Sequence, residues 1–186
     1  MAYKDNKNKE IIEPKNVWVG KPDAPVTLVQ YGDYQSEACA KAHKIVKKLL
    51  ELYPGKLRFN YRHFPLTQIH QHAQKAAVAS VAAAQEGKFW EMHDLLFHNQ
   101  RRLGAASLKG YAREAGVMDK NLLPKLVDSA YGWTVRADLL HGLNNGVRDV
   151  PSFFINDEHY SGKPTLEGLC KAIDDASKNS KRKKVA

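Results

Sequence analysis

At 186 residues the chain is long enough to bury one sizeable core and too short for two comfortable ones. Its hydrophobic fraction is 43 %, and no apolar run approaches the roughly 18 to 20 residues of a membrane-spanning helix, so no membrane span is expected. Of the net charge of +9, five charges belong to Lys178, Lys181, Arg182, Lys183 and Lys184, which leaves only +4 elsewhere; this reads as a solvated basic tail, and no specific nucleic-acid partner is expected.

The first residues, MAYKDNKNKEIIEPKN, are charged and lack the apolar core of a secretory signal. They read as a flexible segment over 1–16 of a cytoplasmic protein, although an exported mature form whose leader had been removed would look the same. APVTLVQY follows, a short apolar run with β-forming residues that fits a buried strand ending near Asp33. From Ser36 onward Ala38, Cys39, Ala42, Ile45, Val46, Leu49, Leu50 and Tyr53 recur at helical spacing. Lys41, Lys44, Lys47, Lys48 and Glu51 fill the other face until Pro54-Gly55 stops the helix. KLRFNYRHF then alternates Leu57, Phe59 and Tyr61 against Arg58, Asn60 and Arg62, the period of a strand. Strand, helix and strand in so short a span form a βαβ unit with parallel strands.

A long helical stretch follows. IHQHAQKAAVASVAAAQEG, KFWEMHDLLFHN, SLKGYAREAGV, NLLPKLVDSA and a run from Trp133 to Leu143 all read as helices, an insertion at about 68–146. The sheet resumes at SFFI, turns at Asn156-Asp157, and pairs with His159-Tyr160; a last helix runs from Thr165, an N-cap, to Ser177. The order is β, α, β, helical insertion, β, β, α over a single domain of 17–177, with a disordered basic tail at 178–186. His70 and His72 would point to different faces of a helix, and His93 and Trp90 read as packing groups, so no metal is expected. Cys39 and Cys170, most of the chain apart, make no disulfide framework; Cys170 shares a helical face with Leu166, Leu169 and Ile173 and reads as a buried small hydrophobe.

DAPVTLVQYGDYQ, RHFPL, GKFWEMHDLLF and GVRDVPSFFIN, in this order, resemble the DsbA-like branch of the thioredoxin superfamily from about Val17 to Asp175. The resemblance implies an α/β, thioredoxin-like fold with a central mixed sheet. It also implies thiol/disulfide oxidoreductase ancestry, with Cys-x-x-Cys opening the first helix and a cis-proline facing it. An attacking cysteine placed there gains from the helix dipole, which lowers its pKa, and a second cysteine three residues on resolves the mixed disulfide.

Here the motif is Ser36-Glu37-Ala38-Cys39. A serine hydroxyl is not appreciably ionised at neutral pH and forms no disulfide, so the dithiol cycle cannot close within one chain. Gln30 stands where the resemblance implies a buried proton-accepting acid, and Glu37 where many relatives carry proline. Cys39 lies on the apolar helix face, which reads as a buried, inert thiol; His43, one turn later, either approaches it or packs on the helix face. Val150-Pro151 matches the cis-proline loop, implying an unpaired backbone that accepts an extended peptide or glutathione. The leading expectation is thus a family member with a degenerate redox motif, no cofactor, and a groove for a protein thiol or extended peptide. Two alternatives are a glutathione-dependent transferase or isomerase similar to the kappa type and using Ser36, and a peptide-binding module in which Ser36 is only an N-cap.

Overall fold

The computed structural model describes residues 10–118 and 130–185. Five strands, β1 (Trp18–Gly20), β2 (Val26–Gly32), β3 (Leu57–His63), β4 (Ser152–Ile155) and β5 (Glu158–His159), form one mixed sheet in the order β1-β3-β2-β4-β5. β2 and β3 are parallel, from Val26 opposite Leu57 to Gly32 opposite His63, and α1 (Glu37–Leu52) connects them as expected. β1 and β4 flank this pair antiparallel. β1 is an addition to the expected order: three residues are too few for a readable alternation, and the strand is held instead by β3, with the Arg58 guanidinium 4.2 Å from the centre of the Trp18 ring.

The helical insertion contributes α2 (Ala73–Ala84), α3 (Phe89–His98), α4 (Ala105–Glu114) and α5 (Ala130–Asn144) among the described residues. The helix expected across NLLPKLVDSA lies, except for Ala130, outside them. α2 is buried at Ala73 and at every position from Ala76 to Ala84, because its alanines let helices approach it from all sides. It starts later than expected, and His70 and His72 therefore lie in the turns before it rather than on two faces of a helix.

At both chain ends the described residues depart from expectation. In the segment expected to be flexible, Ile11 and Pro14 are buried, and Asn60 Nδ2 of β3 donates to Pro14 O and Val17 O at 2.7 Å each, so residues 10–16 lie against the sheet. The last helix, α6 (Leu166–Val185), starts after Thr165, whose Oγ1 accepts from Gly168 N, but it runs through the basic tail instead of stopping at Ser177. Ser180 Oγ lies 3.0 Å from Ala176 O and 3.1 Å from Pro25 O, an anchor to the body of the domain, and lysine and arginine are good helix formers. The hairpin between β4 and β5 forms at the expected turn: Asn156 (φ 48°) and Asp157 (φ 67°) both take the left-handed conformation that a two-residue turn of this hand demands. Asn156 Oδ1 also accepts from Thr27 N of β2 at 2.8 Å.

Gly32 ends β2 under the fully buried ring of Tyr61: a Cβ there would lie 2.7 Å from both Tyr61 Cε2 and Tyr61 Oη. Gly32→Ala should therefore cost about 1–3 kcal/mol by overpacking. Gly110→Ala, on α4 with open space around the added methyl, should instead gain about 0.5–1 kcal/mol. Urea unfolding of the two variants distinguishes steric exclusion from a general effect of removing glycine.

Candidate functional site

The turn from β2 into α1 is assembled around Asp33, whose side chain has no solvent exposure. Its Oδ1 accepts from Gln35 N at 2.7 Å, and its Oδ2 accepts from Leu66 N at 2.8 Å and meets His70 Nδ1 at 2.9 Å. Gln35 adds two further ties: its Oε1 accepts from His72 N at 2.7 Å, and its carbonyl accepts from Gln100 Nε2 at 3.3 Å. The segment after β3 and the turn after α3 thus both grip the residues that precede α1.

Held in this way, Ser36 takes the extended conformation of an N-cap and its Oγ accepts from Cys39 N at 3.3 Å. Ser36 is 8 % exposed and Cys39 is 0 % exposed. Cys39 Sγ accepts from Asp33 N at 3.5 Å. Burial pushes the Cys39 thiol up to about 11; the Asp33 N–H and the Ser36 hydroxyl pull against it, while the carboxylates of Asp33 and Asp149 push with burial. At pH 7 about one molecule in ten thousand would carry the thiolate.

Beneath this turn Gln30 is buried in β2 opposite Tyr61, and Gly32 opposite His63, all four on one face of the sheet. Gln30 Nε2, Tyr61 Oη and His63 Nδ1 meet no hydrogen-bonding partner among the described residues. Ser80 Oγ, which donates to Ala77 O, stands 3.2 Å from His63 Nε2, so Nε2 carries the ring proton. Burial, then the nearby Arg62 charge, pulls His63 down to about 3. His93 is driven well below the usual histidine range by burial and by His43, and its Nδ1 lies 3.0 Å from the Tyr34 hydroxyl.

His43 does not turn to Cys39. Its Nε2 lies 3.3 Å from Asp94 Oδ1 and its ring stacks on Phe97 at 4.8 Å. His43, then Lys47, holds Asp94 well below the usual carboxylate range. Glu37 is exposed on the first turn of α1. The Val150–Pro151 peptide is cis, and the charge of neighbouring Asp149 acts on Cys39. The backbone before Pro151 is not left unpaired: Val150 N donates to Asp149 Oδ1 at 2.8 Å. Pro151 borders a small concavity of about 300 Å³ with Arg148, Ser152, His159 and Tyr160. Ser36 and Cys39 are therefore brought together at the start of α1, within the field of Asp149 from the loop that precedes Pro151, while His43 faces elsewhere.

A thioredoxin family model matches residues 13–175. The chain belongs to the thioredoxin family. Its fold is that of the DsbA-like proteins. A thioredoxin-like oxidoreductase from Silicibacter pomeroyi DSS-3 is similar at 25 % identity and a TM-score of 0.76, over 87 % of this chain and 92 % of that one. BdbD from Bacillus subtilis is similar at 21 % and 0.78, over 96 % and 98 %. Alpha-DsbA1 of Wolbachia pipientis is similar at 21 % and 0.73, over 89 % and 92 %. Among curated proteins, the Na(+)/H(+) antiporter NhaA 1 of Salinispora arenicola is 36 % identical over 157 residues, 84 % of this chain but 24 % of that protein. The chain spans about a quarter of the length of the antiporters it matches, and none of its described helices is long and apolar enough to cross a membrane.

Within this thioredoxin-family frame, sequence reasoning missed Asp33, Asp149 and the Tyr61–His63–His93 cluster. Asp33 did carry a readable signal: an aspartate two residues before Gln35, just ahead of a helix N-cap, is an Asx-turn pattern. The partners of its second oxygen, Leu66 and His70, lie 33 and 37 residues away and left no local trace.

Two outcomes follow from this geometry. Cys170, expected to be buried, is partly exposed, whereas Cys39 is enclosed; iodoacetamide at neutral pH should therefore label Cys170 in the native protein and reach Cys39 only after denaturant is added, as read by peptide mass spectrometry, and fast native labelling of Cys39 would contradict its burial. His63 is held near 3 against 6.5 when unfolded, so its contribution to stability is intact above about pH 6.5 and falls away as pH drops toward 3. Asp138, pushed up to about 6 by burial against the pull of Arg62, acts oppositely, with the native state taking its proton more readily than the unfolded chain. Comparing wild type with His63→Gln isolates the histidine: below about pH 6 wild type should lose up to about 1.4 kcal/mol per pH unit more than the variant.

Proposed function

We propose that this chain is a member of the thiol/disulfide oxidoreductase family that has lost autonomous dithiol exchange and keeps a thiol- or peptide-binding surface beside Ser36 and the Val150–Pro151 loop. The observation that carries this reading is the pairing of Ser36 Oγ with Cys39 N: a hydroxyl caps α1 where the family places an attacking sulfur, and the cysteine one turn on is enclosed. Exchange requires a thiolate to attack a disulfide, release one sulfur, and be released in turn by a second thiol. Ser36 cannot enter such a bond, and Cys39 supplies almost no thiolate. What remains is a surface on which Pro151, Arg148, His159 and Tyr160 border a concavity. A peptide that pairs with the Val150 N–H must first displace the Asp149 carboxylate.

A second reading draws on the same serine. Ser36 Oγ uses a lone pair on Cys39 N and keeps its own proton, which it is able to donate to a thiolate brought by glutathione, as in a kappa-type transferase or isomerase. Calorimetry with glutathione decides here: binding that disappears in Ser36→Ala favours this reading, and no binding at millimolar glutathione removes it.

For the leading reading, wild type should stay at background in insulin reduction and in oxidation of a dithiol peptide. Ser36→Cys should raise either rate at least tenfold, equivalent to about 1.4 kcal/mol of barrier. Wild-type turnover equal to that of Ser36→Cys would overturn the proposal.

A further inference from the structure

The lysine-rich face of α1 does not simply face bulk water. Together with α3 and the turn that follows it, α1 walls a groove of about 890 Å³ that contains none of Ser36, Cys39, Val150 or Pro151. Lys41 and Lys44 line it from α1, Arg101 and Arg102 line it from the turn, and Ala40, Leu95 and Phe97 contribute apolar surface. The acids in its lining are Glu37 and Asp94, and Asp94 is already engaged by Lys47 at 2.7 Å and by His43. Lys41, Lys44, Arg101 and Arg102 are exposed, and their side chains make no hydrogen bond or ion pair with any described residue.

We propose that this groove docks an extended acidic peptide segment of a partner protein, its carboxylates bracketed by Lys41 and Lys44 on one side and Arg101 and Arg102 on the other. Unpaired cations around a concavity add their fields there, which raises the local concentration of anions and the rate of encounter. The chemistry favours a polypeptide over nucleic acid for three reasons. The partly exposed Ala40 and Leu95, over the buried Phe97, give a small apolar surface that suits an apolar side chain of the peptide. The carboxamide oxygens of Asn99 and Gln100, whose nitrogens donate to Leu95 O and Gln35 O, are acceptors suited to peptide N–H groups. Glu37, in the lining at the end nearest Ser36, interrupts the positive run: a peptide can place an uncharged residue against it, whereas every nucleotide brings a phosphate.

The proposal does not rest on the redox reading, because none of Ser36, Cys39, Val150 and Pro151 lines the groove, although Glu37 of the motif does, and the same binding is expected in Ser36→Cys. The test is fluorescence anisotropy with a short labelled glutamate-rich peptide, its lysine-for-glutamate counterpart, and a single-stranded oligonucleotide of matching length. The glutamate-rich peptide should bind, weaken as salt is raised, and outcompete the oligonucleotide, and the lysine counterpart should not bind. Combining Lys41→Glu, Lys44→Glu, Arg101→Glu and Arg102→Glu should weaken binding at least about tenfold. The glutamine versions of the four should weaken it in the same direction and guard against misfolding of the charge-reversed chain. A control set of equal charge at exposed sites away from the groove, Lys56→Glu, Arg113→Glu, Lys163→Glu and Lys171→Glu, should change it by less than about threefold. Equal losses in the two sets would mean that bulk charge drives binding and would overturn the proposal. So would unchanged binding in the groove variants, or a groove-dependent preference for the oligonucleotide.

Discussion

The buried carboxylate of Asp33 is the joint on which the site turns. Enclosing a carboxylate is costly unless donors replace the water it loses, and here Gln35 N, Leu66 N and His70 supply them from both sides of the βαβ unit. The end of β2, the start of α1 and the segment after β3 are thereby fixed to one group. Ser36 is left in the extended conformation that lets its hydroxyl cap the helix, and Asp33 N points at Cys39 Sγ. The same carboxylate opposes ionisation of that sulfur. Asp33 thus orders the turn, and the enclosure of Cys39 that results, more than the Asp33 charge, raises the thiol pKa against the pull of the Asp33 N–H.

How much of this could be read in advance depended on the range of the interactions. α1, β2, β3 and the final hairpin announce themselves through periodicity and turn residues, because their apolar faces and their Asn156-Asp157 turn are local in sequence. β1 is too short for any period. The run of α6 past Ser177 escaped because a basic, polar stretch looks like a solvated tail. What holds it is Ser180 reaching Pro25, 155 residues away. The same logic separates the site residues. Ser36 and Cys39 were legible because a helix cap and a helical turn are local. The Val150 N–H looked free because its bond to Asp149 depends on a side-chain rotamer and not on spacing. His43 had two partners within reach on paper, and α3 supplied the deciding ones, Asp94 and Phe97.

Gln30 shows what the core tolerates where a buried position carries an amide. A proton-accepting acid at that buried position would be a second carboxylate close to Asp33, with the desolvation cost that a buried charge carries. Glutamine removes the charge but leaves Nε2 without a partner, next to the equally unpartnered Tyr61 hydroxyl on the paired residue of β3. An uncharged polar atom is the smaller burden, about 1–3 kcal/mol against several for an ion. The substitution is therefore consistent with a site that no longer needs to move a proton from Cys39, and it concentrates the remaining polarity of the interior on the β2–β3 face beneath α1.

The charges around α1 are sorted in a way that bears on what such a domain can still do. Carboxylates gather at its start: Asp33 and Asp149 act on Cys39, and Glu37 opens the helix. Cations line its flank, on the groove shared with the turn after α3. A thiolate catalyst needs the reverse arrangement, positive potential at the sulfur, because only that lowers the pKa of the attacking group. A docking surface needs what is found here: positive charge held outward at exposed side chains, within the screening length of about 8 Å over which an approaching partner feels it at physiological salt. The helix dipole, positive at the N-terminus of α1, is offset by these acids where chemistry would use it, while the lysines that follow keep their charge for an external partner. These electrostatics oppose a thiolate at Cys39 and favour an anion at the flank of α1, as the proposed docking of an acidic peptide requires.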